Sequence, residues 1–300
     1  MRFTLTNSDI QSYFAINAVR PSRRLSNTEL LPGYAQKLVE HYSAQPYILA
    51  IMTIGSLASD KTDEYSDIDL VLICGNEGIP SKETRVEVIN YISNNMAALN
   101  SIDVHTWNFG TADDFVVANT EVCTQFFTKQ YLEEKIDLTT NGFYSQVGME
   151  HPLASLSSLL KATVHFDRDN IYKSLRQKID PYPAKLRQII LNQELGMRFP
   201  YYLDRLSTAM ARGDIPFADK MIHQSIDSAI YIIFALHEQY PNGPKRLFQQ
   251  LDDMVAEPTA KDVKSYLTSL YADSTVFKTL PQKQATLQKL LALLQKLNNA

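Results

Sequence analysis

Apolar residues follow two different rhythms along this chain. In the first half, short dense runs alternate with polar connections. YILAIMTIG (47–55) is rich in β-branched and apolar residues and ends at a glycine, which predicts a buried strand. IDLVLIC (68–74) predicts a second. In SKETRVEVINYISNNMAALN (81–100), Val86, Ile89, Ile92, Met96 and Leu99 recur every three or four residues. That spacing predicts one face of a helix, with Ser81 as its N-cap. SIDVHTWNF (101–109) and TEVCTQFFTKQY (120–131) are further strand candidates. A short helix is predicted over 152–161 and a strand over 162–166.

From about residue 180 only the helical rhythm remains. PYPAKLRQIILNQEL (181–195) is helical in pattern, with Pro183 near its first turn, where a missing N–H costs little. Pro200 is expected to break or kink the chain after it. Residues 217–240 carry an apolar stripe through Phe217, Met221, Ile222, Ile226, Ala229, Ile233 and Leu236, stopped by Pro241-Asn242-Gly243-Pro244. KDVKSYLTSLY and QKQATLQKLLALLQKLNN complete the set, the last with Leu287, Leu290, Leu291, Leu294 and Leu297 on one face. The expected organisation is a mixed α/β domain over residues 1–178 and an all-helical domain over 179–300.

Composition narrows the function classes. With 300 residues, 45% of them hydrophobic, the chain can build one large core or two ordinary ones. Its 29 basic and 33 acidic residues give a formal net charge of -4, no general attraction for nucleic acid or an anionic membrane. Cys74 and Cys123 are the only cysteines, which argues against a disulfide scaffold and suits a reducing compartment. The N-terminus lacks a basic segment followed by an apolar run. No stretch reaches the roughly 18 apolar residues of a membrane helix. A cytoplasmic location is the expectation.

The chemistry concentrates in GSLASDKTDEYSDIDL (55–70). Gly55 would let a ligand approach the backbone closely, and Ser56 adds a hydroxyl donor. A helix beginning there would favour an anion such as a triphosphate. Asp67 and Asp69 stand i, i+2 at the entry to a strand, so both carboxylates face one side while Ile68 faces the core. Such a pair suits a hard cation such as Mg²⁺ with phosphate co-ligands. A third carboxylate would complete a two-metal site, and Asp103, on the strand candidate after the helix, leads. Asp113, Asp114 and Glu121, nearby in sequence, compete with it for that place. Three clustered carboxylates without metal would have raised pKa values. The six histidines show no close paired spacing, so a histidine zinc site is disfavoured. Neither G-x-x-x-x-G-K-[ST] nor G-x-G-x-x-G occurs, which disfavours P-loop and dinucleotide folds, and there is no G-x-S-x-G elbow.

Gly55-Ser56, a polar connection, and Ser66-Asp67-Ile68-Asp69-Leu70 together resemble the signature of the polymerase-β-like nucleotidyltransferase superfamily. Asp103 in IDVHTW falls where that superfamily often keeps its third carboxylate. The order of a catalytic domain and then a helical one is similar to the minimal and antibiotic-modifying members. The connection departs from the commoner pattern, with Ala58-Ser59 and Asp63-Glu64 where many relatives have a basic residue and a glycine. The resemblance implies an α+β fold: a polymerase-β-like domain with a mixed sheet flanked by helices, then an all-α helical bundle. It implies nucleoside-monophosphate transfer from an NTP, ATP first, to a hydroxyl acceptor, a small molecule rather than extended nucleic acid, with pyrophosphate released. Gly55, Ser56 and Ser66 would bind the nucleotide. Asp67, Asp69 and Asp103 would be catalytic and hold Mg²⁺ in a two-metal site. The alternative is a nucleotide-binding or regulatory, antitoxin-like module of the same fold with weak catalysis.

Overall fold

Two of the apolar runs pair with each other. The computed structural model describes residues 30–55, 57–59, 67–75, 78–95, 97–102, 110–117, 120–146, 151–243, 247–254, 262–268 and 280–299. Within it β1 (Ile48–Ile54) and β2 (Ile68–Cys74) lie antiparallel, and both coincide with the two densest strand signals. Further strands are β3 (Ala98–Ile102), β4 (Thr111–Val117), β5 (Thr120–Thr128) and β6 (Thr163–Asp167). They form a six-stranded sheet in the order β3-β4-β5-β2-β1-β6. The sheet is mixed: β2 and β5 run parallel, and the other neighbours are antiparallel.

One face of the sheet is covered by helix α1 (Leu30–Ser43) and helix α2 (Lys82–Ser93). Leu38 and Tyr42 from α1 and Val88, Ile89 and Ile92 from α2 meet Ile68, Leu70, Leu72, Phe115, Val122 and Phe126, all buried. Each such aliphatic side chain removed from water is worth about 1.5–3 kcal/mol. Alternation sends Asp67 and Asp69 away from that core.

Helix α2 starts as expected: the Ser81 side chain accepts the Thr84 N–H at 3.3 Å. It ends sooner than the apolar pattern implies. Asn94 takes a left-handed conformation (φ 54°) and its N–H returns to the last turn. Leu99 then belongs to β3, and Met96 lies outside the described residues. The buried stripe of α2 is Arg85, Val88, Ile89, Ile92 and Ser93, so the face is rotated and one of its members is an arginine.

The chain divides into two compact units. One holds the described residues up to Leu132 together with Lys161–Lys173, and the other holds Glu133–Leu160 and the described residues from Ser174 onward. The units interleave along the chain because β6 comes back to pair with β1 after helix α4 (Pro152–Lys161).

The second unit is helical. After α3 (Lys129–Thr140), α4 and α5 (Ile171–Gln177), helix α6 (Ala184–Ile190) runs into a π-helical segment, Leu191–Arg198, and directly into α7 (Phe199–Arg212). Pro200 therefore does not break the helix. It sits in the first turn of α7, after the wider i→i+5 turns, where the bond an α-helix would require from its nitrogen is absent. Helix α8 (Ile215–Leu236) is capped by Asp214, which accepts the Phe217 N–H at 3.2 Å. It ends at His237, four residues before Pro241. Helix α9 (Leu247–Met254), helix α10 (262–268) and helix α11 (Leu280–Asn298) complete the unit. Leu287, Leu290 and Leu294 of α11 are buried, as its leucine face predicts. Among the described residues no helix is long and apolar enough to cross a membrane.

Candidate functional site

The connection between β1 and β2 places the acidic pair. Asp67 directly precedes β2 and Asp69 is its second residue, cross-strand from Ile54. Both are partly exposed, whereas Ile68 between them is fully buried. Gly55 comes directly after β1 with φ +74°, a conformation that glycine adopts freely. A β-carbon there would lie 2.9 Å from Asp69 Oδ2. Glycine is thus needed twice, for its backbone angle and for the space that the Asp69 carboxylate occupies.

After Gly55 the chain forms a three-residue 3₁₀ turn, Leu57–Ser59, too short to act as the helix whose N-terminus would favour an anion. Ser56 and Ser66 lie outside the described residues, as does Asp103. The strand before Asp103, β3, pairs only with β4 at the sheet edge, so it does not flank β2. The neighbours of β2 are β1 and β5.

That topology brings other groups beside Asp69. Register pairs Asp69 with Cys123 on β5, and Cys123 with Asp114 on β4. Paired residues on adjacent strands point to the same face, so Asp69, Cys123 and Asp114 form a row across three strands. Glu121, two residues before Cys123, shares this face. The Cys123 thiol is pushed far above the ordinary thiol range, first by burial, then by the Asp114 charge and a hydrogen bond to Asp114, with Asp69 adding to it. Among the described residues, no group of three or more His, Cys, Asp or Glu side chains is gathered closely enough to hold a metal ion on its own. Asp67 and Asp69 still fit a hard cation: two oxygen donors, partly exposed, on one side of one strand.

Asp113 behaves in the opposite way from its neighbour. It is fully buried on the helix-covered face, where Arg85 Nε donates to its two carboxylate oxygens at 3.1 and 2.9 Å. Arg85 Nη1 also donates to the Pro80 carbonyl at 2.5 Å, and its guanidinium lies 5.7 Å from the Phe126 ring centre. Asp113 is therefore a buttress between α2 and β4. By fixing the facing of β4, it turns Asp114 toward the face that carries Asp69.

In the sequence, Asp113, Asp114 and Glu121 stand out only as alternatives to Asp103, and neither Arg85 nor Cys123 stands out at all. A signal is nonetheless present. TADDFVV alternates Thr111, Asp113, Phe115 and Val117 at strand period, which places one acid among core positions and its neighbour on the opposite face. Arg85 stands three residues before Val88 on the apolar stripe of α2.

The acidic pair lies in a segment that is similar to polymerase-β-like nucleotidyltransferase domains. Residues 36–125 match the family model described as "Polymerase beta, Nucleotidyltransferase", a range that contains α2, β1–β4, Gly55, Asp67 and Asp69. Residues 149–246, in the helical part, match a second model, described as a domain of unknown function, DUF4037. No curated protein matches the sequence. Among solved structures, a nucleotidyltransferase-like protein from Exiguobacterium sibiricum is similar at 11% identity with a TM-score of 0.45, over 88% of this chain and 74% of that one. A chain of the CdnC:HORMA-deltaN complex of E. coli MS115-1 is similar at 12% identity with a TM-score of 0.27, over 88% and 89%.

Proposed function

We propose that this protein is an enzyme that transfers a nucleoside monophosphate from an NTP to a hydroxyl-bearing small molecule. The observation that carries this reading is the set of Gly55, Asp67 and Asp69, packed at one strand mouth within a segment matching the nucleotidyltransferase family. ATP is the donor we favour, and the cytoplasm is the compartment.

In this reading Asp67 and Asp69 hold Mg²⁺, with Asp103 as the third ligand or the base. Bound Mg²⁺ would neutralise charge on the triphosphate and lower the pKa of the acceptor hydroxyl. Gly55 leaves the backbone open to the phosphates, and Ser56 and Ser66 donate to them. The acceptor oxygen forms a bond to the α-phosphorus as the bond to the pyrophosphate oxygen breaks. The hydroxyl proton passes to a carboxylate, and pyrophosphate leaves. Asp114 and Glu121, on the same face as Asp69, join Asp103 as third-carboxylate candidates.

The alternative is a nucleotide-binding module with weak catalysis. One experiment separates the two. The protein is incubated with α-labelled ATP, Mg²⁺ and a metabolite extract, beside the Asp67→Ala/Asp69→Ala variant. Transfer of label by the wild type alone supports the enzyme. Binding of ATP without transfer supports the second reading, and equal transfer by both proteins overturns the catalytic assignment.

A further inference from the structure

Far from the acidic strand in sequence, the helical unit contains a cavity of about 550 Å³. This lies within the range of small-molecule sites, about 300–1,000 Å³. Its walls are mainly apolar, and the described lining includes the rings of Tyr144, Tyr231 and Phe248 and the imidazole of His151. The rings of Tyr144 and Tyr231 meet edge to face at 5.5 Å, which fixes one wall. The Tyr231 hydroxyl accepts the Gln146 N–H at 3.4 Å, tying the segment after α3 to helix α8.

Asp227 stands on this wall. Among the described lining residues, Asp227 is the only carboxylate, and none is Lys or Arg. Asp227 is exposed to the cavity and makes no hydrogen bond or ion pair with another described residue. Its surroundings nonetheless push its carboxyl above the usual range, chiefly through burial, with Glu194 adding to the effect and His223 and His151 opposing it. The neighbouring carboxylate of Glu194 is already satisfied. It is 1% exposed and takes donors from Tyr144 Oη, Ser228 Oγ and Arg198 Nη1, each at 2.6 Å. Arg198 is thereby held by Glu194. Asp227 is left as the carboxylate available to a visitor.

We propose that this cavity binds a small organic cation, a protonated amine on an apolar or aromatic frame, with Asp227 pairing the ammonium and the Tyr144–Tyr231–Phe248 wall enclosing the frame. A carboxylate beside aromatic rings selects that chemistry twice. It attracts the charge directly, and ring faces attract a cation within about 6 Å. A neutral frame would gain only the wall, and an anion would be repelled. The site is independent of the nucleotidyl-transfer reading, since all its residues belong to the second unit.

The test is calorimetric titration of the full-length protein at pH 8, where an ordinary imidazole is neutral. Three probes share an indole frame: tryptamine, the neutral tryptophol, and the anionic indole-3-acetate. Tryptamine is expected to bind at least tenfold more tightly than either of the others, and Asp227→Asn is expected to remove that preference while leaving tryptophol binding unchanged. If the variant does not fold, the order of the three probes on the wild type still decides. No tryptamine binding, equal binding of tryptophol, or an unaltered preference in a folded Asp227→Asn protein would each overturn the proposal.

Discussion

Asp69 Oδ2 occupies the place where a side chain on residue 55 would begin, 2.9 Å from the position of a β-carbon. The obstructing atom is the far end of a short side chain, which can rotate away. Gly55→Ala should therefore unfold little and inactivate much. Placing alanine at φ +74° costs about 1–2 kcal/mol. The displaced carboxylate no longer shares a side with Asp67 in the same geometry. Nucleotidyl transfer should fall more than tenfold while Tm drops by only a few degrees, measured on the same preparation by a transfer assay and by calorimetry.

The pair between Arg85 and Asp113 should behave in reverse. Their side chains are 3% and 1% exposed, so removing one takes this charge partner from the other inside the core. Arg85→Ala is expected to cost about 3–5 kcal/mol in denaturant unfolding. Replacing both partners with Met and Leu should recover most of that loss, because no buried charge remains. Arg85→Lys should be intermediate, since a single ammonium nitrogen keeps the charge but cannot hold Asp113 and the Pro80 carbonyl from two separate nitrogens as the guanidinium does.

Cys123 reports on the acidic row. Its thiol pKa is raised, so at pH 8.5, where an ordinary cysteine is about half thiolate, Cys123 remains protonated. In a Cys74→Ala background, iodoacetamide should alkylate it more than tenfold slower than glutathione. Asp114→Asn removes both a charge and an acceptor that favour the protonated form. The pKa then falls, the thiolate fraction rises, and alkylation should quicken several-fold. A wild-type rate like that of glutathione would contradict the arrangement.

In the helical unit, Glu194 is the hub of a buried network. Glu194→Leu takes the acceptor from the Ser228 hydroxyl and leaves Tyr144 with its longer bond to Gln193 Oε1 (3.1 Å) and Arg198 with Ser145 Oγ; the Arg198 side chain is 41% exposed and can turn to water. The expected loss is about 2–3 kcal/mol, less than for a fully buried pair. Glu194→Gln should retain part of the network. Chemical denaturation of both variants checks the order.

Local signals in the sequence carried much of the fold. β1 and β2 match their apolar runs because both are interior strands, paired on both edges and largely buried. The Ser81 cap and the leucine face of α11 are readable for equally local reasons. So is the one-sided placement of Asp67 and Asp69 around Ile68, which strand alternation dictates. What escaped was decided by distant partners. The stop at Asn94-Asn95 is an exception, a local left-handed signal that the apolar spacing running on to Leu99 masked. Arg85 itself reads as a solvent residue until Asp113 is placed opposite it. Strand order is equally hidden. The strand that joins β1 beside β2 is β5, three strands further along the chain, and that is why Cys123 and Asp114 rather than β3 approach Asp69. The interleaving of the two units comes from one long-range pairing, β6 with β1.

The most direct measurement is calorimetric binding of α,β-methylene-ATP, which cannot undergo the transfer, with and without Mg²⁺. It needs no knowledge of the acceptor. Wild-type protein is expected to bind the analogue only when Mg²⁺ is present, and the Asp67→Asn/Asp69→Asn variant should bind it at least ~50-fold more weakly, a loss of about 2.3 kcal/mol. Binding that is equal in the two proteins, or indifferent to Mg²⁺, would contradict the assignment of Asp67 and Asp69 to a metal-held nucleotide.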